Sequence, residues 1–263
     1  MVEIAISLAI IGIALVGIIG VLPLGLHTQR DNREQTIINQ DATVLLQAVS
    51  SGARGMDDLT NYIYAITNYW TKYDSNGVVL AGGGSINDGY NFSGSQITKV
   101  ASPPFFPITN GARIIGLLST PEYTSDASGN FAPLGSTVNA GDYYSNHVVA
   151  YVRSISGPAE EKPPQNNEII QQNSFTYRVL CVNAPVALDT NTVGQGYAKQ
   201  LAANLRELRL LFLWPQQANG SVGNQRQNSR MLVAGQLFNI PDTTVVPNVP
   251  LYFYQPQSFT NAP

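Results

Sequence analysis

From Ile4 to Leu26 the chain is apolar at every position but one, the hydroxyl of Ser7, and a single carboxylate, Glu3, stands at the outer end of the run. About 20 apolar residues at ~1.5 Å rise per residue cross a bilayer of roughly 30 Å, so the pattern predicts a helix long enough to span a membrane. It reads as a span rather than a cleaved leader, because no Lys or Arg precedes Ile4 and the run is longer than the apolar centre of such leaders. After His27 the pattern changes. Ile37, Ile38, Val44, Leu45, Leu46, Ala48 and Val49 recur among charged and amide side chains at intervals of three, four and seven, as in a helix with one apolar stripe. One helix is therefore expected over 1–53, with a membrane or filament-core segment at 1–26 and an amphipathic stem at 27–53, and with Gly52 and Gly55 as its stop.

Residues 54–263 are enough for one sizeable domain with its own core. Leu59, Ile63, Ile66 and Trp70 stand at helical intervals within 56–73, which predicts a second, shorter helix there. Short β-rich runs follow at 113–118, 147–155, 175–182, 205–214, 230–238 and 251–254, separated by Gly, Pro, Asn and Ser clusters. The fold class is α+β: a long N-terminal hydrophobic-to-amphipathic helix packed on a C-terminal antiparallel β-rich head. Within 205–238 a strand ending at Trp214-Pro215, a polar Gly/Asn/Gln-rich loop and a returning apolar strand suggest a hairpin lying against the stem. Stretches 74–94 and 160–172 read as open loops.

Glu3 needs an explanation, since an unpaired carboxylate in an apolar medium costs several kcal/mol. A simple anchor gains nothing from it, whereas a subunit that leaves the bilayer and packs beside its own copies can pair it with a neighbour's amine. An aliphatic pair, Glu3, and an unbroken apolar run containing Ala9-Ile10-Ile11-Gly12-Ile13 closely resemble the N-terminal helix of type IV pilins and type II secretion pseudopilins. That resemblance covers about the first 50 residues and implies a pilin-like fold. It also implies a prepilin peptidase, an N-methylated terminus, residence in the bacterial inner membrane before assembly, and a homopolymeric extracellular filament raised by pilus assembly machinery. By alignment two residues of the family pattern are missing ahead of Met1, so either two residues precede it or the mature chain starts there. Met1 and Glu3 are the expected assembly residues. Gly17, Gly20, Pro23 and Gly25 weaken the helix, as a close-packing surface or as a place where it melts on assembly. Keeping Glu3 argues against a tip-initiating pseudopilin, while the large head suits a minor subunit. A minor pilin or pseudopilin, or an anchored ligand-binding domain, remains the alternative to a major filament subunit.

Composition alters this picture mainly by exclusion. Charged residues make up 12% of the chain and the formal net charge is −3, so no basic patch argues for nucleic acid. Cys181 is the single cysteine, and no internal disulfide is available. His27 and His147 form no metal-spaced pair, Asp57-Asp58 and Glu160-Glu161 read as solvated neighbours, and Gly82-Gly83-Gly84 lacks the Lys of a phosphate loop. Asp74-Ser75-Asn76-Gly77 begins like a calcium loop without its later ligands and fits a turn better. Asn91-Phe92-Ser93 and Asn219-Gly220-Ser221 match the glycosylation triplet. No enzyme, metal or cofactor is expected.

Overall fold

The computed structural model describes residues 2–74, 76–80, 88–94, 105–125, 143–156, 175–186, 200–201, 203–217, 220–245 and 248–259. Helix α1, Val2–Ser51, contains 50 residues and is about 75 Å long at ~1.5 Å per residue. It runs through Pro23 without interruption and stops where a left-handed residue is available. Gly52 has φ 61° and donates its N–H to the Val49 carbonyl at 3.1 Å. A Cβ on Gly52 would sit 2.0 Å from the Tyr254 carbonyl oxygen, so both the conformation and the space demand glycine.

From Glu34 onward α1 buries one face: Glu34, Ile37, Ile38, Asp41, Ala42, Leu45, Leu46, Ala48 and Val49 are covered, while Asn39, Gln40, Thr43 and Gln47 stay exposed. That is the amphipathic stripe expected of the stem, with two carboxylates added to it. The covered face packs against β7 (Leu205–Gln216), β8 (Val222–Ala234), β10 (Val249–Gln255) and a short helix, α3 (Gly111–Leu118).

The sheet beneath it runs in the order β3 (Phe105–Phe106), β2 (Asp88–Ser93), β1 (Ile63–Tyr73), β5 (Tyr143–Arg153), β6 (Thr176–Pro185), β7, β8, with β4 (Tyr123–Ser125) paired to β5. Pairing is antiparallel throughout, except for the parallel contact of β2 with β3. β9 (Gln236–Asp242) and β10 form a separate two-stranded hairpin against α3. The core lies between the sheet's inner face on one side and α1, α3 and β10 on the other. It includes Ile38, Leu45, Ile66, Trp70, Tyr90, Phe92, Ile115, Tyr177, Phe212 and Phe253.

Five expectations need correction. The helix expected over 56–73 is a single turn, α2 (Leu59–Tyr62), followed by strand β1. β1 is central and covered on both faces, which erases strand alternation and leaves Ile63, Ile66 and Trp70 at spacings that imitate a helix, while Ile, Thr, Tyr and Trp favour a strand. Conversely, 113–118 is not a strand but helix α3. Asn110 caps it by accepting the Arg113 N–H at 2.9 Å, nearly every residue of it is buried, and a run this short does not tell a strand from a buried helix. The expected strand 230–238 is cut by Gly235, φ 120°, into β8 and β9, which belong to different sheets. The 205–238 hairpin exists as β7 and β8, but most of its polar "loop" is strand, because β8 begins at Val222. Stretch 74–94 contains β2; stretch 160–172 lies outside the described residues.

Candidate functional site: a carboxylate on an uncovered apolar helix

Among the described residues, nothing packs on the apolar N-terminal half of α1. Its large aliphatic side chains from Val2 to Leu22, and Leu26, are more than half exposed, and a Cβ on Gly12, Gly17, Gly20 or Gly25 would meet no atom within 4 Å. A segment this apolar on all sides is long enough to cross a membrane. Ser7 keeps its polarity inside the helix by donating its hydroxyl to the Glu3 carbonyl at 2.9 Å. The Glu3 carboxylate is exposed and meets no partner among the described residues, of which Met1 is not one. Of the expected site residues, Glu3, Gly17, Gly20, Pro23 and Gly25 thus share one continuous helix, on the half of it that no other described residue covers.

The C-terminal half is held by a residue that pattern reading passed over. Asp41 is fully buried and has no cation paired with it among the described residues. Its two oxygens accept the backbone N–H groups of Ile155 at 2.9 Å and Ser156 at 2.8 Å and the Tyr177 hydroxyl at 2.7 Å. A carboxylate satisfied by two amides and a phenol tolerates desolvation, and it fixes the stem to the ends of two central strands. Burial, and then the carboxylate beside it, push the Tyr177 phenol well above the usual tyrosine range, so it stays a donor. The signal was present in the sequence: Asp41 stands four residues from both Ile37 and Leu45, on the apolar stripe itself. Glu34, also covered, accepts from Arg30 Nε at 2.8 Å. Further along the stem, Gln225 and Gln227 of β8 donate to Asp31 and Asn39.

A buried ion pair braces α3. Arg113 Nε donates to Asp242 at 2.6 Å, its Nη1 to the Pro107 carbonyl at 3.0 Å and to Thr109 at 2.7 Å, and its Nη2 to Thr244. Burial alone would raise the Asp242 carboxyl, but the hydrogen bonds from Thr244 and Arg113 outweigh it and hold the group below the ordinary aspartate range.

The remaining chemistry-bearing residues are scattered. His27 and His147 are exposed on separate elements, and among the described residues no group of three His, Cys, Asp or Glu could hold a metal. Cys181 is buried in β6, with its thiol pushed up to about 12 by desolvation, far from the reactive range. Asp57 accepts the Gly111 N–H at 2.8 Å. Asp74 closes a turn by accepting from Asn76 and Val78. Asn91 is wholly buried in β2 and accepts from Thr67 at 3.0 Å, so in the folded chain its glycosylation triplet is inaccessible. Glu160, Glu161, Gly82–Gly84 and Asn219 lie outside the described residues. Compared with protein-family models, curated proteins and solved structures, the chain matches none.

Proposed function

We propose that this chain is a structural, non-enzymatic subunit of a type IV pilus-like extracellular filament that polymerises through α1. One observation carries the reading: a helix apolar on every side, with one carboxylate at its end, is fixed by its other half to a folded head that leaves the apolar half bare. Apolar surface on that scale has to be covered, at about 25 cal/mol per Å². Lipid covers it before assembly, and the same segment of neighbouring copies covers it afterwards. Only the second environment gives Glu3 a role, since a neighbour's terminal amine neutralises a carboxylate that lipid leaves unpaired. The motif around Ala9-Ile10-Ile11-Gly12-Ile13 supports the same family, and with it a prepilin peptidase and assembly machinery as transient partners.

Glu3→Ala tests this. The variant subunit is expected at wild-type level in the inner membrane, with filaments reduced at least about ten-fold, because the amine loses a buried partner. Undiminished filaments from that variant would remove the proposal. Mass spectrometry of the mature terminus is expected to find it N-methylated. The minor-pilin or pseudopilin alternative predicts the same terminus with the subunit scarce in any filament.

A further inference from the structure

Where the β9–β10 hairpin meets the sheet, the core turns polar. Asn68 of β1, Asn146 of β5 and Tyr90 of β2 face Thr120, Thr124 of β4 and Tyr252 of β10, and all six are buried. Together they line a cavity of about 10 Å³, room for one water molecule. The direction of the hydrogen bonds around it follows from one fixed acceptor. Asn146 Nδ2 donates to the Pro121 carbonyl at 3.0 Å and to Thr124 Oγ1 at 3.2 Å, so Oδ1 is the Asn146 atom that meets the Asn68 amide, at 3.5 Å. An oxygen there calls for a donor, which turns Asn68 Nδ2 towards it and towards the Tyr90 hydroxyl at 3.2 Å. Asn68 Oδ1 is left buried without a hydrogen-bond partner.

The other groups on the wall show what would satisfy it. The Tyr90 and Thr124 oxygens accept from the two amide nitrogens, which have no lone pair to offer in return, so neither hydroxyl proton has an acceptor among the described residues. Burial pushes the Tyr90 phenol up to about 12, so that proton stays in place. Thr120 is the reverse case: its hydroxyl donates to the Leu117 carbonyl at 2.7 Å and keeps its lone pairs for a further donor. Two protons in need of an acceptor and two oxygens able to accept thus border one small space. Water has the matching complement of two lone pairs and two protons, and buried waters bind where polar groups are otherwise unsatisfied. An ion does not suit the space, because the lining is uncharged and would leave a desolvated charge uncompensated.

We propose that this cavity is a binding site for one structural water, which accepts from Tyr90 and Thr124, donates to Asn68 Oδ1 and Thr120 Oγ1, and so ties β4 and the connection from α3 to the middle of the sheet. The inference is independent of the filament reading. A bridging water of this kind is nearly as good as a direct hydrogen bond, and it lets polar side chains stand in the core of the head. The experiment is a crystal structure of the full chain in detergent, at a resolution that shows ordered water, for the wild type and for Asn68→Leu. The wild type is expected to show one peak in the cavity, within about 2.6–3.2 Å of Asn68 Oδ1 and of at least two of the Tyr90, Thr120 and Thr124 hydroxyls. Asn68→Leu lacks the acceptor, and the peak is expected to be lost. An empty cavity in the wild type would overturn the inference, as would a peak that keeps its place in Asn68→Leu. Contacts of about 2.0–2.4 Å would make the occupant a metal cation and overturn it as well. Should the variant fail to fold, the wild-type map decides alone.

Discussion

Asp41 shows how much one side chain decides. Replacing it with Ala leaves the Ile155 and Ser156 amides and the Tyr177 hydroxyl buried without an acceptor, each such group costing about 1–3 kcal/mol, partly offset because a buried charge is also removed. A net loss of about 3 kcal/mol, or a melting temperature lower by about 6–12 °C in circular dichroism, is the expected outcome. Tyr177→Phe removes one donor and costs less; equal losses in the two variants would mean that the amides contribute nothing. Asp242 gives a pH dependence. Its carboxyl is lowered in the folded chain, so its contribution is complete above the ordinary aspartate range and is lost as pH falls through that range to the depressed folded value. Acid titration followed by circular dichroism is expected to show a destabilising limb below about pH 4, shallower in Asp242→Asn. The place of Asp41 on the apolar stripe was legible in the sequence, but its role was not, nor was that of Asp242, because the donors of Asp41 and the arginine that meets Asp242 lie more than a hundred positions away.

Legibility at the scale of elements followed period and burial. The apolar run and the stem stripe were readable because half of α1 is bare and the other half is covered on one side only. β5, β6 and β7 were readable because one face is buried and one is half-exposed. β1 was not, since it is covered on both faces and loses its alternation, and α3 was not, since an apolar run of about eight residues is too short to tell a strand from a buried helix. The end of α1 was legible from Gly52, whose replacement by Ala is expected to cost more than about 1–2 kcal/mol through its left-handed backbone and its closeness to Tyr254, seen as a lowered thermal midpoint. The junction at Gly235 was hidden because a glycine between two strand-like runs reads equally as a bulge. A chain beginning at Thr28 keeps Asp41 and the whole packed stripe. It is expected to be a soluble, β-rich monomer in circular dichroism and light scattering, and polymer from that chain would move the assembly function from helix to head.

Across the whole molecule the forces divide by kind. Burial of the bare apolar half is non-directional and unscreened by salt, while Cys181 is buried and alone and charged residues are few. Filaments of the proposed kind are therefore expected to persist in reductant and in high salt under the electron microscope, and to come apart in detergent with folded heads released. Disassembly by reductant alone would implicate Cys181 bridges, and disassembly by salt alone would give the principal cohesion to charge contacts. The seat of Asp41 has a mechanical consequence as well. α1 is one helix from its bare end to Ser51, and it is pinned through short bonds to the ends of β5 and β6 in the middle of the sheet. A pull on the rod is received there by two amides and a phenol, with no slack loop between, so the head follows the rod as a rigid load; cutting those bonds would turn a stiff coupling into a tether.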